Sequence, residues 1–307
     1  MKKVFVLGSI NMDFLFTIDH LPKKGQTLTG KEFSSLPGGK GANQAVAAAK
    51  QGVETYMIGN VGDDALGDEL IDKLKSYQVK CDYIKRIKDT SSGLACILLE
   101  NNDNRIIVNP GANNIHDIEY IKKVLEENAN EGDIFLTQLE IPLDIVKKSI
   151  KIAKSIGMMS VLNAAPMKDL DQETLSNVDL LCVNESETKA LINLQVDDTN
   201  IDQAFSKIEK LGPKTSIITL GEKGSYYKDK DELIYTKVYL SQIVDTTGAG
   251  DAFTGIYLAY KILGEDTALA LKKATAGASM TIETMGAQNA IPNKEMIDSF
   301  LEREENK

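Results

Sequence analysis

The stretch Asp245-Thr246-Thr247-Gly248-Ala249-Gly250-Asp251-Ala252-Phe253 carries the densest chemistry in this chain. A Gly-rich turn runs straight into apolar residues at helical spacing, Ile256, Ala259, Ile262 and Leu263, and the segment closes at Gly264. Such a turn leaves backbone N–H groups unpaired at a helix start, with the positive end of the helix dipole behind them. That arrangement holds a phosphate oxygen or a developing negative charge. Asp251 adds a carboxylate able to accept a proton at the same spot. An anion cradle from Gly248, Ala249 and Gly250 beside a base at Asp251 points to group transfer, most simply phosphoryl transfer. On these residues alone a plain structural role stands equally well, because Asp in a first helical turn also serves as a cap. No Gly-x-x-x-x-Gly-Lys-Ser/Thr run occurs, and Phe253 stands where a dinucleotide fingerprint needs its third glycine. Neither a P-loop enzyme nor an NAD-binding protein is indicated.

A second constellation, Pro37-Gly38-Gly39-Lys40-Gly41-Ala42-Asn43-Gln44-Ala45, also feeds a helix. Its glycines let backbone approach a ligand closely. Upstream, the apolar run Val4–Leu7 ends in Gly8-Ser9-Ile10-Asn11-Met12-Asp13. Open α/β sheets bind ligands at the carboxyl ends of their strands, so Asn11, Asp13, Lys40 and Asn43 are expected to face one crevice.

The elements that must position these groups follow from periodicity. Val4–Leu7, Thr55–Ile58, Ile134–Leu136, Met159–Leu162, Leu180–Val183 and Ser216–Leu220 read as buried strands. Helical spacing marks Ala42–Gln51, Leu66–Tyr77, Ile118–Asn128, Ile145–Ser155, Ile201–Leu211, Ala252–Leu263, Asp266–Glu283 and Lys294–Glu302. The alternation predicts an α/β fold, a mostly parallel sheet covered by helices on both faces. Residues 12–36 and 92–109 break the rhythm; Phe14–Ile18, Thr27–Thr29, Leu94–Leu99 and Arg105–Val108 read as short strands. These two pieces are expected to combine into a small β-sheet lid that excludes water, or into a hairpin without that role, on a single domain spanning 1–307.

Bulk properties exclude several classes. With 307 residues, 42% hydrophobic and 26% charged, the chain has the composition of a soluble globular protein with a large core. No apolar run approaches the ~18 residues of a membrane span, and Val4–Leu7 is too short for a secretory signal. A formal net charge of −10 opposes binding to nucleic acid or anionic membrane. Cys81, Cys96 and Cys182 show neither metal spacing nor a disulfide framework, which fits a reducing cytoplasm.

The two Gly-rich motifs together resemble the paired motifs of the carbohydrate kinase family that includes ribokinase. Further blocks fall in that family's order and at similar spacing: Asn109-Pro110-Gly111-Ala112-Asn113, Gln138-Leu139-Glu140, Asn163-Ala164-Ala165-Pro166, Asn184-Glu185-Ser186-Glu187, Thr219-Leu220-Gly221 and Gly286-Ala287-Gln288. The likeness covers essentially the whole chain, and its blocks look more like ribokinases than fructokinases or adenosine kinases.

The resemblance implies a ribokinase-like fold and ATP-dependent phosphorylation of a sugar, D-ribose at its 5-hydroxyl. It implies that Asn11, Asp13, Gly39, Lys40, Gly41, Asn43, Glu140 and Asp251 hold the sugar. Asp13 and Glu140, two carboxylates against the single cation Lys40, suit a neutral polyol better than an anionic sugar. Asn184 and Glu187 match an Asn-x-x-Glu element that organises Mg²⁺ and phosphates through water. Thr219, Gly221, Gly224, Gly250 and Thr275 fall at nucleotide-binding positions. A potassium site is implied at Asp245, Thr247, Thr281, Thr284, Gly286 and Ala290. Here Ala290 lacks the side-chain oxygen often found at that position, and Thr284 replaces a residue that is often basic; weak or absent activation would fit a lost ligand. The family also implies a homodimer joined through the lid strands, which would cover their edges. Other kinases of the same family, acting on deoxyribose, fructose, adenosine or pseudouridine, and a catalytically silent sugar- or nucleotide-binding regulator, remain alternatives.

Overall fold

The computed structural model describes residues 2–100 and 103–306. In chain order the strands are β1 (Val4–Leu7), β2 (Asn11–Thr17), β3 (Glu32–Gly38), β4 (Thr55–Gly62), β5 (Lys80–Ile87), β6 (Gly93–Glu100), β7 (Asp103–Asn109), β8 (Ile134–Thr137), β9 (Met159–Asn163), β10 (Leu180–Asn184), β11 (Thr215–Thr219), β12 (Ser225–Lys228) and β13 (Leu233–Thr236). The helices are α1 (Lys40–Ala49), α2 (Ala65–Ser76), α3 (Ile118–Asn128), α4 (Leu143–Ile156), α5 (Gln172–Ser176), α6 (Glu185–Ile192), α7 (Ile201–Glu209), α8 (Ala249–Ile262), α9 (Thr267–Thr281) and α10 (Lys294–Glu305).

Among the described residues nine strands form one sheet in the order β13-β12-β11-β10-β9-β8-β1-β4-β5. Strands β11 through β5 in that order run parallel, and β12 and β13 add an antiparallel edge. Strand β1 lies near the middle, and its four residues are fully buried. Side chains alternate across a strand, so one face takes Val4 and Val6 and the other Phe5 and Leu7. Val4 and Val6 pack with residues of α1, α2, α8, α9 and α10, among them Val46, Leu70, Ile256, Leu271 and Ile297. Phe5 and Leu7 pack with residues of α3, α4 and α7, among them Leu125, Ile150 and Ile208. Burial on both faces requires continuous apolar strands rather than alternating ones, which is the pattern β1 and β8 show.

A second sheet, β3-β2-β6-β7, is mixed: β2 pairs antiparallel with β3 and parallel with β6, and β6 pairs antiparallel with β7. The two irregular pieces of sequence do meet in it; residues 101 and 102 of the second piece lie outside the described residues. Thr27–Thr29, expected as a strand, has no regular structure. It lies between Gly25, at φ +80°, and Gly30, and has one apolar residue to offer a sheet face. Its place is taken by Glu32–Gly38, paired along its length with β2. The register sets Asn11 opposite both Gly38 and Gly93. The end of β3 and the start of β6 therefore meet at Asn11, shortly beyond the carboxyl end of β1, where the two sheets join.

Candidate active site

Most of the segments singled out by their chemistry follow the carboxyl end of a strand or open a helix; Gly286-Ala287-Gln288, between α9 and α10, does neither. Strand β1 leads to Asn11 and Asp13, β8 to Gln138 and Glu140, β9 ends on Asn163, β10 on Asn184 and β11 on Thr219. Helices α1 and α8 begin at Lys40 and Ala249. Gly39 precedes α1 at φ +88°, and a Cβ there would stand 2.8 Å from the Asn11 nitrogen and the Ser9 carbonyl oxygen. Only glycine fits that turn without strain.

Asp251, in the first turn of α8, is 5% exposed. Its Oδ2 accepts a 3.0 Å hydrogen bond from Asn43 Nδ2, and its Oδ1 accepts one of 2.9 Å from Gln44 Nε2. The donors are successive residues of α1, so the two helices hold the carboxylate between them. Before it, Gly248 takes a left-handed conformation at φ +78°, where a Cβ would stand 2.6 Å from that of Ala287. Among the described residues no acceptor takes the N–H of Gly248 or Gly250, whereas that of Ala249 donates to the Thr246 carbonyl at 3.3 Å. The cradle thus offers two open amides flanking a third that is weakly engaged. A Cβ on Gly250 would meet nothing within 4 Å, so protein atoms leave space there.

A carboxylate cluster faces this start. Glu140 Oε2 accepts from Ser9 Oγ at 2.5 Å and from the Lys40 backbone N–H at 3.0 Å. Asp13 is pushed up to about 7, chiefly by burial and further by the charges of Glu140 and Asp251. The Lys40 ammonium is raised, first by Asp251 and then, against the pull of burial, by Glu140 and Glu187. One cation among four acids makes it the local counter-charge. Asn11 is held from behind: its Oδ1 accepts from Asn113 Nδ2 at 2.7 Å, which leaves the Asn11 amide N–H₂ free for a ligand. Asn113 also bonds both backbone groups of Ile10. Gly41 and Asn43 complete the row on α1; a Cβ on Gly41 would come within 2.7 Å of Gly8 and Ser9 backbone.

Against the Gly248–Gly250 turn lies a cleft of about 660 Å³. Lys40, Asn184, Glu187, Thr219, Gly221 and Asp251 line it, with Gly248 and Gly250. Asn184 and Glu187 form a reciprocal cap on α6: Asn184 Oδ1 accepts from the Glu187 N–H at 2.9 Å, and Glu187 Oε2 from the Asn184 N–H at 2.8 Å. Glu187 is buried rather than a solvated helix residue, and burial raises its carboxyl. Gly224 does not line the cleft; a Cβ there would strike the Thr236 carbonyl at 2.1 Å, so it serves the turn into β12. Thr275 is buried with an unpartnered hydroxyl and also stands outside the cleft lining.

The donor chemistry fits the implied ions unequally. No group of three or more acidic, histidine or cysteine ligands occurs among the described residues. Glu187 with one engaged oxygen, facing an open cleft, suits Mg²⁺ that keeps its waters. For a monovalent ion, Asp245 draws two loops together: Oδ1 accepts from the Thr247 N–H and hydroxyl, Oδ2 from the Gly286 N–H. The N–H groups of Val244 and Asp245 both reach the Ile282 carbonyl. These bonds tie the segment carrying Thr281, Thr284 and Gly286 to the one carrying Asp245 and Thr247, and backbone carbonyls of the two segments would offer a K⁺ ion oxygen ligands. Ala290 sits one turn on, its N–H on the Ala287 carbonyl, and contributes no side-chain oxygen.

The sequence reading gave no role to Gln44, Gln138, Asn163 and Gln288, although all four lie inside its recurring blocks. Their signal is tertiary: Gln44 and Asp251 are 207 positions apart.

Comparison with known proteins agrees with this geometry. The model of the pfkB family carbohydrate kinases matches residues 1–294. A ribokinase of Bacillus subtilis is 36% identical over 301 residues, 98% of this chain and 100% of that one. A deoxyribokinase of Salmonella typhi is 34% identical, covering 97% and 98% of the two chains. The structure of Arabidopsis thaliana ribokinase complexed with ribose and ATP matches with a TM-score of 0.90 at 32% identity, over 98% of each chain. Fold and likeness together define a phosphotransferase that acts on a sugar hydroxyl. The chain belongs to the pfkB family of carbohydrate kinases.

Proposed function

We propose that this chain transfers the γ-phosphoryl group of ATP to the 5-hydroxyl of D-ribose, giving ribose 5-phosphate and ADP. The observation that carries the reading is the buried Asp251 carboxylate, fixed by two amide donors, beside the open amides of Gly248 and Gly250. The sugar lies among Asn11, Asp13, Gly39, Lys40, Gly41, Asn43 and Glu140, with its hydroxymethyl toward Asp251. ATP lies in the cleft along Asn184, Glu187, Thr219 and Gly221. Asp251 takes the hydroxyl proton as the oxygen bonds to the γ-phosphorus; the bond to the β–γ bridging oxygen breaks and ADP leaves with that electron pair. The Gly248 and Gly250 N–H groups and Lys40 face the charge on the moving group. Mg²⁺, when bound, neutralises phosphate charge; Glu187 and Asn184 would hold its waters. A monovalent cation would sit against Asp245, Thr247, Thr281, Thr284 and Gly286, without a ligand from Ala290.

The small sheet, about 12–36 and 92–109, acts as a lid on a single domain. Phe33, Ile106, Ile107 and Val108 expose apolar surface on it, which supports a homodimer through the lid. A cytoplasmic setting matches the need for ATP; no helix among the described residues is long and apolar enough to cross a membrane. The deoxyribokinase likeness keeps 2-deoxyribose as the second reading. ATP turnover by the purified protein against ribose, deoxyribose, fructose, adenosine and pseudouridine tests the assignment. Ribose is expected to give the highest kcat/KM; a higher value for any of the others reassigns the substrate, and binding without ADP formation reduces the chain to a sensor.

A further inference from the structure

Two chains of side-chain amides converge on Asp251. In one, Gln138 Nε2 donates to Gln44 Oε1 at 2.7 Å, and Gln44 Nε2 donates to Asp251 Oδ1 at 2.9 Å. In the other, Gln288 Nε2 donates to Asn43 Oδ1 at 3.2 Å, and Asn43 Nδ2 donates to Asp251 Oδ2 at 3.0 Å. Gln44, Gln138 and Gln288 are at most 1% exposed. An amide side chain presents a donor at one end and an acceptor at the other, and it can turn over. Whatever donates to the carbonyl end therefore dictates that the N–H₂ end faces the carboxylate. Gln138 imposes this on Gln44, and Gln288 on Asn43. The remaining Gln44 hydrogen is also used, on Asn163 Oδ1 at 2.9 Å, and Asn163 is in turn tied to the Cys182 carbonyl.

Each chain ends on an unsatisfied group: Gln138 Oε1 and Gln288 Oε1 are buried without a partner. A buried acceptor without a donor is unfavourable, so a pair of glutamines is a poor choice for packing alone. Leu or Met would fill the same volume without that cost. The retained amides need a reason, and the carboxylate at the end of each chain supplies one. A tilted or flipped donor would swing the Asp251 oxygens away from the incoming hydroxyl, and a misplacement of about 1 Å costs on the order of 10²-fold in rate.

We propose that Gln138 and Gln44 are positioning residues for phosphoryl transfer: Gln138 orients the Gln44 amide, which aims the Asp251 carboxylate. The proposal rests on Asp251 being the base. Neither glutamine lies among the groups assigned to the sugar, so the effect belongs in kcat and not in ribose KM.

The test uses Gln44→Met and Gln138→Met, which keep side-chain length without the amide, together with the double variant and Asp251→Asn. Folded fraction is fixed by circular dichroism and urea midpoint. Gln44→Met is expected to lower kcat about 10–100-fold and Gln138→Met about 3–30-fold, each with ribose KM within about threefold. The double variant should be no slower than Gln44→Met, because Gln138 acts through Gln44. Adding Gln44→Met to Asp251→Asn should change nothing further. Wild-type kcat in either single variant, or independent multiplicative losses in the double, overturns the proposal while leaving the base intact if Asp251→Asn is slow. Full turnover by Asp251→Asn removes the base itself, and this inference with it. Should Gln44→Met be insoluble, Gln138→Met decides, since it leaves both donors to Asp251 in place.

Discussion

At Gly250 structure and chemistry come apart in a useful way. The residue is exposed, and a side chain there would touch no protein atom within 4 Å. Its N–H has no protein acceptor among the described residues, and it lines the cleft beside Asp251. Gly250→Val should therefore leave the fold nearly intact, with the urea midpoint at or slightly above wild type, because Val is a somewhat better helix former than Gly. The added methyls project into the space assigned to the transferring phosphate, so kcat/KM for ATP should fall at least about 100-fold. Steady-state kinetics at several ATP concentrations, beside a denaturation curve, separates the two. Normal ATP turnover in a folded variant would remove the phosphate from this turn. Gly248→Val makes a poor substitute, because φ +78° and the 2.6 Å approach to Ala287 would disturb the backbone as well.

At the scale of elements the site depends on how closely α1 and α8 approach. Asn43 and Gln44 can reach Asp251 because Gly255 carries no side chain: a Cβ there would stand 2.5 Å from Ala47 Cβ and from the Gln44 carbonyl oxygen. Gly255→Val must push the helices apart. Overpacking of this kind destabilises by about 1–3 kcal/mol, and separation also stretches both hydrogen bonds to Asp251. Lower urea stability together with a reduced kcat in the fraction that remains folded is the expected pair of results. Loss of stability with unchanged kcat would show that the helix contact does not set the geometry of the acid. The run Ala45–Ala49 made close packing of α1 legible in the sequence, and the buried parallel strands were legible for the same reason: they are continuous apolar runs. What escaped were the edges and the long-range contacts. Lys80-Cys81-Asp82-Tyr83-Ile84-Lys85-Arg86-Ile87 forms β5, yet half its positions are polar because one side of an edge strand meets little core. Strands β12 and β13, at the opposite edge, were missed likewise. The amides of Gln138 and Gln288 gain meaning only where strands, loops and helices from distant sequence meet, and no local pattern announces that.

For the molecule as a whole, the junction of the two sheets carries an electrostatic load. Asp13, on β2 of the small sheet, faces Glu140, beyond β8 of the large sheet, and Asp251 on α8. Burial and these two charges push its carboxyl up to about 7 from 3.8. A carboxyl raised in the folded state binds a proton there that the unfolded chain has already lost. Its favourable contribution is thus complete below about pH 4 and disappears as pH rises to about 7, at about 1.4 kcal/mol per pH unit, with no further change above. Asp13→Asn has no proton to lose in that range. Relative to wild type, the variant should gain urea stability between pH 5 and pH 7, and the difference should level off by pH 8. At the same time its ribose KM should rise, since an amide replaces a group assigned to the sugar. Urea midpoints of both proteins at pH 5, 6, 7 and 8, without ligands, make the comparison. A stability difference that stays constant across this range would mean that Asp13 remains charged when folded, and the two sheets would then meet without the repulsion described here. If the difference grows as expected, the free enzyme holds electrostatic repulsion at the junction of the two sheets, which hydroxyls of a bound sugar would relieve by donating to the acids.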